Sequence, residues 1–194
     1  MLISGPMQQE MAGKMRAALL GLGFAVAPAL ALAAGFTVTS PDFPAGGTIP
    51  LTSVFNRFGC QGQNRSPELT WVGEPAGTQS FAVTMYDPDA PGGGFTHWTV
   101  FNIPASVHQL PAGAGADGSR LLPVGAEEGR NDFGFSYYGG PCPPPGSPHH
   151  YVITVYALKV ARLPLAAAAS GALVAAALPS ETLAKAQITS LYGR

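Results

Sequence analysis

Residues 81–91 read Phe-Ala-Val-Thr-Met-Tyr-Asp-Pro-Asp-Ala-Pro and combine a strand pattern with an abrupt stop. The first six residues are rich in β-branched and aromatic side chains, which favour a strand. The Asp-Pro-Asp-Ala-Pro sequence that follows favours a rigid turn, because Asp starts turns through its side chain and Pro fixes the backbone angle φ. We therefore predict a strand that ends in a stiff loop carrying two carboxylates, Asp87 and Asp89.

The same alternation of short strands and turn residues continues on both sides of this segment. Further strands are predicted at residues 36–39, 69–72, 97–103, 150–158 and 184–192, and Gly and Pro separate most of them. Helical patterns are restricted to two short stretches, Gly171 to Leu178 and Ser180 to Leu183, with Ser180 as the expected N-cap of the second. This spacing is typical of an antiparallel β domain and not of alternating strand–helix units.

The composition supports one loop-rich globular domain and argues against two classes of protein. The chain has 194 residues with 46% hydrophobic and 11% charged side chains, and it contains 25 Gly and 19 Pro. The apolar fraction argues against intrinsic disorder. The net charge of −1 is too small for a protein that holds a nucleic-acid backbone by bulk electrostatics, so no nucleic-acid partner is expected.

The N-terminal residues 1–33 have the organisation of a signal peptide. Lys14 and Arg16 precede an uncharged apolar run, residues 17–32, which leads into an Ala-Leu-Ala cleavage signal. The run is about 16 residues long and is interrupted by a proline, so it is short for a transmembrane helix. We predict that residues 1–33 are removed and that a single domain, residues 34–194, is periplasmic or secreted.

A second apolar stretch, from Leu163 to Leu178, has about the length of the first. Pro164, Ser170 and Gly171 interrupt it. We predict that it forms a buried helix and not a membrane span, so no stable membrane span is expected in the exported chain.

Two cysteines, Cys60 and Cys142, remain after cleavage and would enter an oxidising compartment. A pair of this kind can form a disulfide, and it can equally consist of two small apolar residues of the core. No Cys-x-x-Cys or Cys/His spacing typical of zinc is present. The sequence leaves the pairing open and predicts neither a metal site nor another cofactor.

Side chains that can bind ligands or transfer protons are concentrated at the predicted strand ends. Asp87 follows one strand and His97 begins another, while His149 and Tyr151 stand at the start of a third. Side chains alternate between the two faces of a strand, so His149 and Tyr151 point to one face and His150 to the other. A chain with few ionisable groups thus places a polar cluster beside rigid turns.

Three motifs in these positions form a combined pattern. They are Tyr86-Asp-Pro-Asp-Ala-Pro91, Thr96-His97, and residues 138–151, which begin Tyr-Gly-Gly-Pro-Cys-Pro-Pro and end His-His-Tyr. On these motifs the chain resembles the phosphatidylethanolamine-binding protein family, and more narrowly its bacterial Raf kinase inhibitor-like branch. The similarity covers nearly all of the chain that would remain after cleavage.

The resemblance implies a mainly β fold, a β-sandwich of two antiparallel sheets with short peripheral helices. It also implies a small pocket at one end that binds phosphate, phosphoryl headgroups or similar anions. Carried over residue by residue, the pocket residues are Asp87, Pro91, His97, Gly140, Pro141, His149 and Tyr151. The family commonly has Arg at the position of His150, and the bacterial relatives imply a homodimer.

The chemistry of these residue types fits an anion site. A bound anion favours the protonated forms of His97 and His149, and Tyr151 has a hydroxyl to donate. The backbone N–H groups of Gly139-Gly140 form a candidate nest for a negative oxygen. Asp87 would repel a dianion, so we expect it to orient a histidine or to accept a hydrogen bond from a ligand amine or hydroxyl.

Two alternatives stay open at the level of sequence. Two histidines and one aspartate match the residue types of a metal centre or of acid–base hydrolysis, which would make the protein an enzyme. However, no His-Glu-x-x-His motif is present, and residues 134–138 miss the Gly-x-Ser-x-Gly pattern at its last position. An inhibitor acting through surface loops, such as residues 92–94 and 113–119, would bind a protein partner instead. We expect a non-catalytic binding protein.

Overall fold

Eight β-strands and one α-helix succeed one another in the computed structural model, which describes residues 35–194. They are β1 (Thr37–Thr39), β2 (Leu69–Val72), β3 (Ser80–Asp87), β4 (Phe95–Pro104), β5 (Gln109–Leu110), β6 (Glu127–Glu128), β7 (His149–Leu158), α1 (Gly171–Glu181) and β8 (Thr182–Tyr192). The predicted signal peptide, residues 1–33, lies outside the described residues.

The strands form two antiparallel sheets. The smaller sheet has three strands in the order β1-β2-β5, and the larger has five in the order β6-β4-β3-β7-β8. Both edges of β3 are paired, one with β4 and the other with β7, so the strand that ends in the Asp-Pro-Asp turn lies at the centre of the larger sheet. The prediction of a mainly β fold with two antiparallel sheets is confirmed.

The main hydrophobic core lies between the two sheets. Phe81 and Met85 of β3 and Ile153 of β7 share the inner face of the larger sheet, as expected for side chains that alternate along a strand. They belong to one buried cluster with Trp71 of β2, and all four side chains are removed from water. The smaller sheet therefore packs on the inner face of the larger one.

The helix α1 covers part of the outer face of the larger sheet. Val174 and Leu178 of the helix pack with Ala82 of β3 in a second, smaller hydrophobic cluster. The hydroxyl of Ser170 caps the helix by accepting a hydrogen bond from the backbone N–H of Leu173 at 3.2 Å. The rest of the outer face is not covered by the helix and forms a groove.

The helix prediction is wrong in detail. One helix replaces the two predicted ones, and Pro179 lies inside it. Pro179 stands in the last turn, two residues before the helix ends at Glu181, and it forgoes one helical hydrogen bond there. Ser180 is therefore a residue of that turn and not an N-cap. Residues 163–169 are not helical, and within residues 35–194 no helix is long and apolar enough to cross a membrane.

A segment that precedes β2 returns to the last strand. The N–H of Ile49 donates to the carbonyl of Leu191, and the N–H of Leu191 donates to the carbonyl of Gly47, both at 2.8 Å. These bonds form a parallel bridge at Thr48 that attaches an early part of the chain to β8.

Candidate functional site

A cavity of about 150 Å³ opens where β3 ends and where β4 and β7 begin. Its polar lining residues are Asp87, His97, His149 and Tyr151. The remaining lining consists of Ala90, Pro91, Phe95, Phe133, Cys142, Pro143 and Pro144. The structure therefore brings five of the seven predicted pocket residues together at one end of the larger sheet.

The antiparallel pairing of the central strands explains this convergence. Asp87 at the end of β3 lies opposite Phe95 at the start of β4, and Tyr86 lies opposite Val152 near the start of β7. In an antiparallel pair the end of one strand is adjacent to the start of the next. Three motifs that are far apart in sequence consequently reach the same edge of the core.

Asp87 and His149 form a hydrogen-bonded pair in the wall of the cavity. Asp87 is 2% exposed, and its Oδ2 lies 2.7 Å from Nδ1 of His149. Its Oδ1 accepts the backbone N–H of Asp89 at 2.9 Å, which is the side-chain turn expected of the Asp-Pro-Asp sequence. With Nδ1 donating to the carboxylate, a protonated His149 keeps Nε2–H as a second donor. The carboxylate thus orients a histidine, one of the roles expected for it.

His97 is buried and uncharged. Its Nδ1 lies 2.7 Å from the carbonyl oxygen of Gly139, and because a carbonyl can only accept, Nδ1 carries the proton. The rings of Phe95, Phe133 and Tyr151 surround the imidazole at centroid distances of 5.0, 5.5 and 5.2 Å. Burial lowers the pKa of His97 to about 4. Without a bound anion, Nε2 of His97 is therefore an acceptor at pH 7.

The hydroxyl of Tyr151 is buried without a hydrogen-bond partner among residues 35–194. Burial raises the pKa of this hydroxyl and the nearby Asp87 carboxylate raises it further, so the phenol keeps its proton. A buried donor without a partner is unfavourable by about 1–3 kcal/mol. Since Tyr151 lines the cavity, an acceptor atom of a ligand would satisfy it.

Gly140 and Pro141, the other two predicted pocket residues, are not among the residues that line the cavity. The N–H of Gly139 donates to the carbonyl of His97 at 3.1 Å, and the N–H of Gly140 donates to Oδ1 of Asn64 at 2.8 Å. Both donors of the predicted anion nest are therefore already occupied within the protein. The Gly139-Gly140 turn holds the wall in place and offers no free N–H to a ligand.

The reason for glycine at position 140 is close packing. A Cβ atom there would overlap the carbonyl group of Ser53 and the backbone of Phe55. The carbonyl of Pro141 accepts the N–H of Phe55 at 3.1 Å, which joins the same two segments. The Gly-Pro sequence is thus required for contact between loops.

Two asparagines that lie outside the predicted motifs, Asn64 and Asn131, support the wall of the cavity. Besides its bond to Gly140, Asn64 donates through Nδ2 to the carbonyl of Tyr138 at 2.9 Å. Nδ2 of Asn131 lies within hydrogen-bonding distance of the carbonyls of His97 and Tyr137, at 3.2 and 2.8 Å. Asn64 also has a φ of 53°, a left-handed conformation that Asn tolerates better than most residues. No motif marks either position.

The proline-rich part of the wall is tied down covalently. Cys142, which lines the cavity, forms a disulfide with Cys60. The bond joins the loop before β7 to the segment before β2. Together with Phe95 and Phe133 it makes the wall largely apolar with a few polar groups, as is usual in small-molecule sites.

A second Asp–His pair lies beside the cavity but outside it. Oδ2 of Asp89 accepts hydrogen bonds from both the backbone N–H and Nδ1 of His150, each at 2.7 Å. These hydrogen bonds lower the pKa of the Asp89 carboxyl. His150 is exposed, as its position in the strand alternation predicts. The pair anchors the loop after β3 to the start of β7.

Comparison with known proteins places these features in a family. The family model for phosphatidylethanolamine-binding protein matches residues 39–193. The UPF0098 protein YbcL of Escherichia coli is 52% identical over 84% of this chain and 90% of its own length. The UPF0098 protein YbhB of the same organism is 45% identical over 79% of this chain and 97% of its own length. A putative lipoprotein of Mycobacterium tuberculosis, LppC, is 38% identical over 80% of this chain and 71% of its own.

Solved structures agree with the sequence comparisons. The crystal structure of Escherichia coli YbcL, described as a new member of the mammalian PEBP family, matches with a TM-score of 0.81 over 83% of this chain and 99% of that chain. A putative phosphatidylethanolamine-binding protein homologue of Chlamydia trachomatis, CT736, matches with a TM-score of 0.69 at 28% identity, over 82% and 98% of the two chains. The sequence motifs of the present chain, its fold and its relatives all indicate the same family, and the chain belongs to the phosphatidylethanolamine-binding protein family.

Proposed function

We propose that the protein is an exported, non-catalytic binding protein whose pocket holds a small phosphoryl group or a similar anion. The observation that carries the proposal is the unpartnered hydroxyl of Tyr151, buried in a cavity beside a neutral His97 and the Asp87–His149 pair. A cavity of about 150 Å³ holds a molecule of roughly the size of benzene. A phosphoryl group falls within that size.

The charges of the lining favour a singly ionised phosphoryl group. No Lys or Arg is among the lining residues, and the negative charge of Asp87 is balanced only when His149 is protonated. A monoanion brings oxygens that accept from Tyr151 and from Nε2–H of His149, and its P–OH can donate to Nε2 of His97. The dianion of a phosphate monoester lacks that P–OH, and any dianion is repelled by Asp87 more strongly than a monoanion is.

The preference for a monoanion predicts a dependence on pH. Phosphate monoesters lose their second proton at a pKa of about 6, so the preferred species increases as pH falls through that value. A phosphoethanolamine headgroup adds an amine, whose N–H can donate a hydrogen bond to the Asp87 carboxylate. The family takes its name from a lipid with this headgroup, and we propose the headgroup as one ligand of this class.

The experiment is a titration of the purified protein with inorganic phosphate and with phosphoethanolamine at pH 5.5 and 7.5, followed by NMR of the histidine and tyrosine resonances. We expect millimolar binding that is tighter at pH 5.5. Tyr151→Phe should weaken binding about tenfold, since it removes one hydrogen bond to a charged group. Tyr156→Phe, on the same strand but pointing to the outer face, should bind as the wild type does. Unchanged binding by Tyr151→Phe, or no response at about 10 mM ligand, would refute the proposal.

Acid–base hydrolysis is the second candidate, because the Asp87–His149 pair has the geometry of a carboxylate that orients a general base. The lining offers no Ser or Thr, and its cysteine is in a disulfide, so water would have to be the nucleophile. In the part of the chain that the structure describes, no group of three His, Cys, Asp or Glu side chains is arranged to hold a metal ion. Turnover of p-nitrophenyl phosphate that is lost in Asp87→Asn would favour the enzyme.

The proposal also covers two kinds of protein partner, a second copy of this chain and a protein that it inhibits. By analogy with bacterial relatives we propose a homodimer, which sedimentation of the purified protein tests directly. An inhibitor acting through its surface would keep its biological activity in an Asp87→Asn, His149→Ala double variant. Loss of activity in that variant supports the pocket.

A further inference from the structure

A second and larger cavity lies on the opposite face of the same sheet. It is a groove of about 710 Å³ bounded by α1, by the glycine loop before β4 and by the outer side chains of β3, β4, β7 and β8. It shares no lining residue with the pocket at the strand ends. Its volume falls within the range of about 300–1,000 Å³ that is usual for small-molecule sites.

Six of the fifteen residues that line this groove carry a hydroxyl group, and the rest of the lining is mainly apolar. The hydroxyls belong to Thr84, Thr96, Thr99, Thr154, Tyr86 and Tyr156. Gln187 adds an amide, and Asp132 adds the one charged side chain of the lining. No Lys, Arg or His is among the residues that form it.

Part of this hydrogen-bonding capacity is unused within residues 35–194. Thr99 is 1% exposed, and its hydroxyl has no hydrogen-bond partner there. Gln187 donates through Nε2 to the hydroxyl of Thr154 at 2.9 Å, which leaves its Oε1 without a side-chain partner. Asp132 accepts the N–H of Thr96 on Oδ2 at 2.6 Å, and because Asp132 and Gln187 are both exposed, a ligand would bond their other oxygens in place of water. A ligand in the groove would therefore meet groups that are ready to bond.

The chemistry of these groups selects the ligand. Hydroxyls both donate and accept, whereas the side-chain oxygens of Gln187 and Asp132 only accept, so the matching ligand carries many hydroxyls of its own. The carboxylate of Asp132 repels anions, and no cation of the lining offsets it. Tyr86 and Tyr156 present ring surfaces that suit the C–H faces of a sugar. We propose that this groove binds a neutral saccharide.

The proposal is independent of the phosphoryl pocket and can be tested in the same protein. The full chain as purified is titrated with maltose and with N,N′-diacetylchitobiose to about 20 mM, and amide shifts are followed by ¹H–¹⁵N NMR. We expect saturable shifts in β3, β4 and the first turn of α1 from at least one of the two sugars. Trilysine serves as a cationic probe, because the carboxylate of Asp132 would attract it. Shifts in these elements from trilysine but from neither sugar, or no shift from either sugar, would overturn the proposal.

Paired variants separate the groove from general effects on folding. Thr84→Val removes one hydroxyl of the lining and should weaken saccharide binding about fivefold, whereas Thr189→Val, on the same outer face but outside the lining, should not. Ala175→Trp should fill the groove and abolish binding, while Ala176→Trp, its exposed neighbour outside the lining, should retain it.

Retained phosphate binding in all four variants shows that the fold and the other pocket are intact. Equal weakening by the two threonine variants, or saccharide binding by Ala175→Trp at wild-type strength, would overturn the assignment of the groove.

Discussion

Replacing Glu128 with glutamine should expose a dependence of stability on pH that the wild type conceals. The Glu128 carboxyl on β6 accepts the indole N–H of Trp98 at 2.8 Å, and burial raises its pKa from 4.5 to about 7. Burial lowers the pKa of His97 from 6.5 to about 4. The two groups therefore shift by similar amounts in opposite directions.

The signs follow from proton binding in the folded and unfolded states. The folded protein keeps the Glu128 proton up to about pH 7, whereas the unfolded chain releases it near 4.5, so this residue lowers stability as pH rises through that window. The folded protein excludes a proton from His97 down to about pH 4, whereas the unfolded chain takes one up near 6.5, so this residue lowers stability as pH falls.

The contributions of His97 and Glu128 to the free energy of unfolding are comparable in size. Because they oppose each other, the pair should change the stability of the wild type little between about pH 4 and 7. The separation between folded and unfolded pKa values corresponds to about 3 kcal/mol for His97 and, after allowance for solvent screening at its partly exposed carboxyl, about 2 kcal/mol for Glu128. Glu128→Gln removes one of the two opposing effects. Its free energy of unfolding should then fall by about 3 kcal/mol from pH 6.5 to pH 4, relative to a nearly flat wild-type contribution.

Urea unfolding followed by tryptophan fluorescence at several pH values between 4 and 7.5 measures this difference. Glu127→Gln, one residue earlier on β6 and paired with Arg162, is the matched control and should follow the wild type. His97→Phe should show the reverse slope. Parallel curves for the wild type and Glu128→Gln would refute the assignment of opposing titrations.

Three further predictions concern the disulfide, the loop packing and the N-terminus. Reducing the disulfide between Cys60 and Cys142, which lie 82 residues apart, should lower the free energy of unfolding by about 4 kcal/mol and weaken phosphate binding. Both quantities can be measured with and without reductant, and equal stability in the two conditions would contradict the prediction. Gly140→Ala should destabilise the protein by about 3 kcal/mol in urea unfolding because of the overlap with Ser53, whereas Gly35→Ala, with open space around it, should not. Intact mass analysis of the exported protein should give a chain that begins at Ala34, and a mass that includes residue 1 would disprove cleavage.

The strands were predictable where local pattern and burial agree. β8 alternates between more buried and more exposed side chains over most of its length, which a periodicity of two reveals, whereas β3 and β7 are mostly buried and are marked by their β-branched and aromatic residues. β5 and β6 were missed because two residues carry no periodicity. The break predicted after Leu178 is wrong, because α1 continues through Pro179 to Glu181, whereas the local pattern treats proline as a stop.

The pocket was predictable to the extent that it depends on strand ends. Asp87, His97, His149 and Tyr151 meet there because antiparallel neighbours bring ends and starts together. A motif does not distinguish a residue that lines a cavity from one that packs behind it, and Gly140 packs behind the wall. The lowered pKa of His97 was not predictable either, because it comes from burial, and the surrounding rings of Phe133 and Tyr151 belong to segments distant in sequence.

The contribution of distant loops was beyond sequence reasoning. Phe133 reaches the cavity from the segment between β6 and β7, and Asn64 reaches the same wall from the segment before β2. Neither lies in a recognisable motif, and their contacts exist only after the sheets have assembled. The groove on the outer face of the larger sheet was also not predictable, because its threonines appear in the sequence only as the polar residues of alternating strands.

The bridge between Gly47–Ile49 and Leu191 bears on when folding can finish. Its partners stand near opposite ends of the described chain, so the larger sheet is incomplete until translation has delivered the final strand. Folds that depend on such distant pairings form slowly. Closure of the larger sheet is thus the last step in the order of synthesis, after the C-terminal strand has left the ribosome.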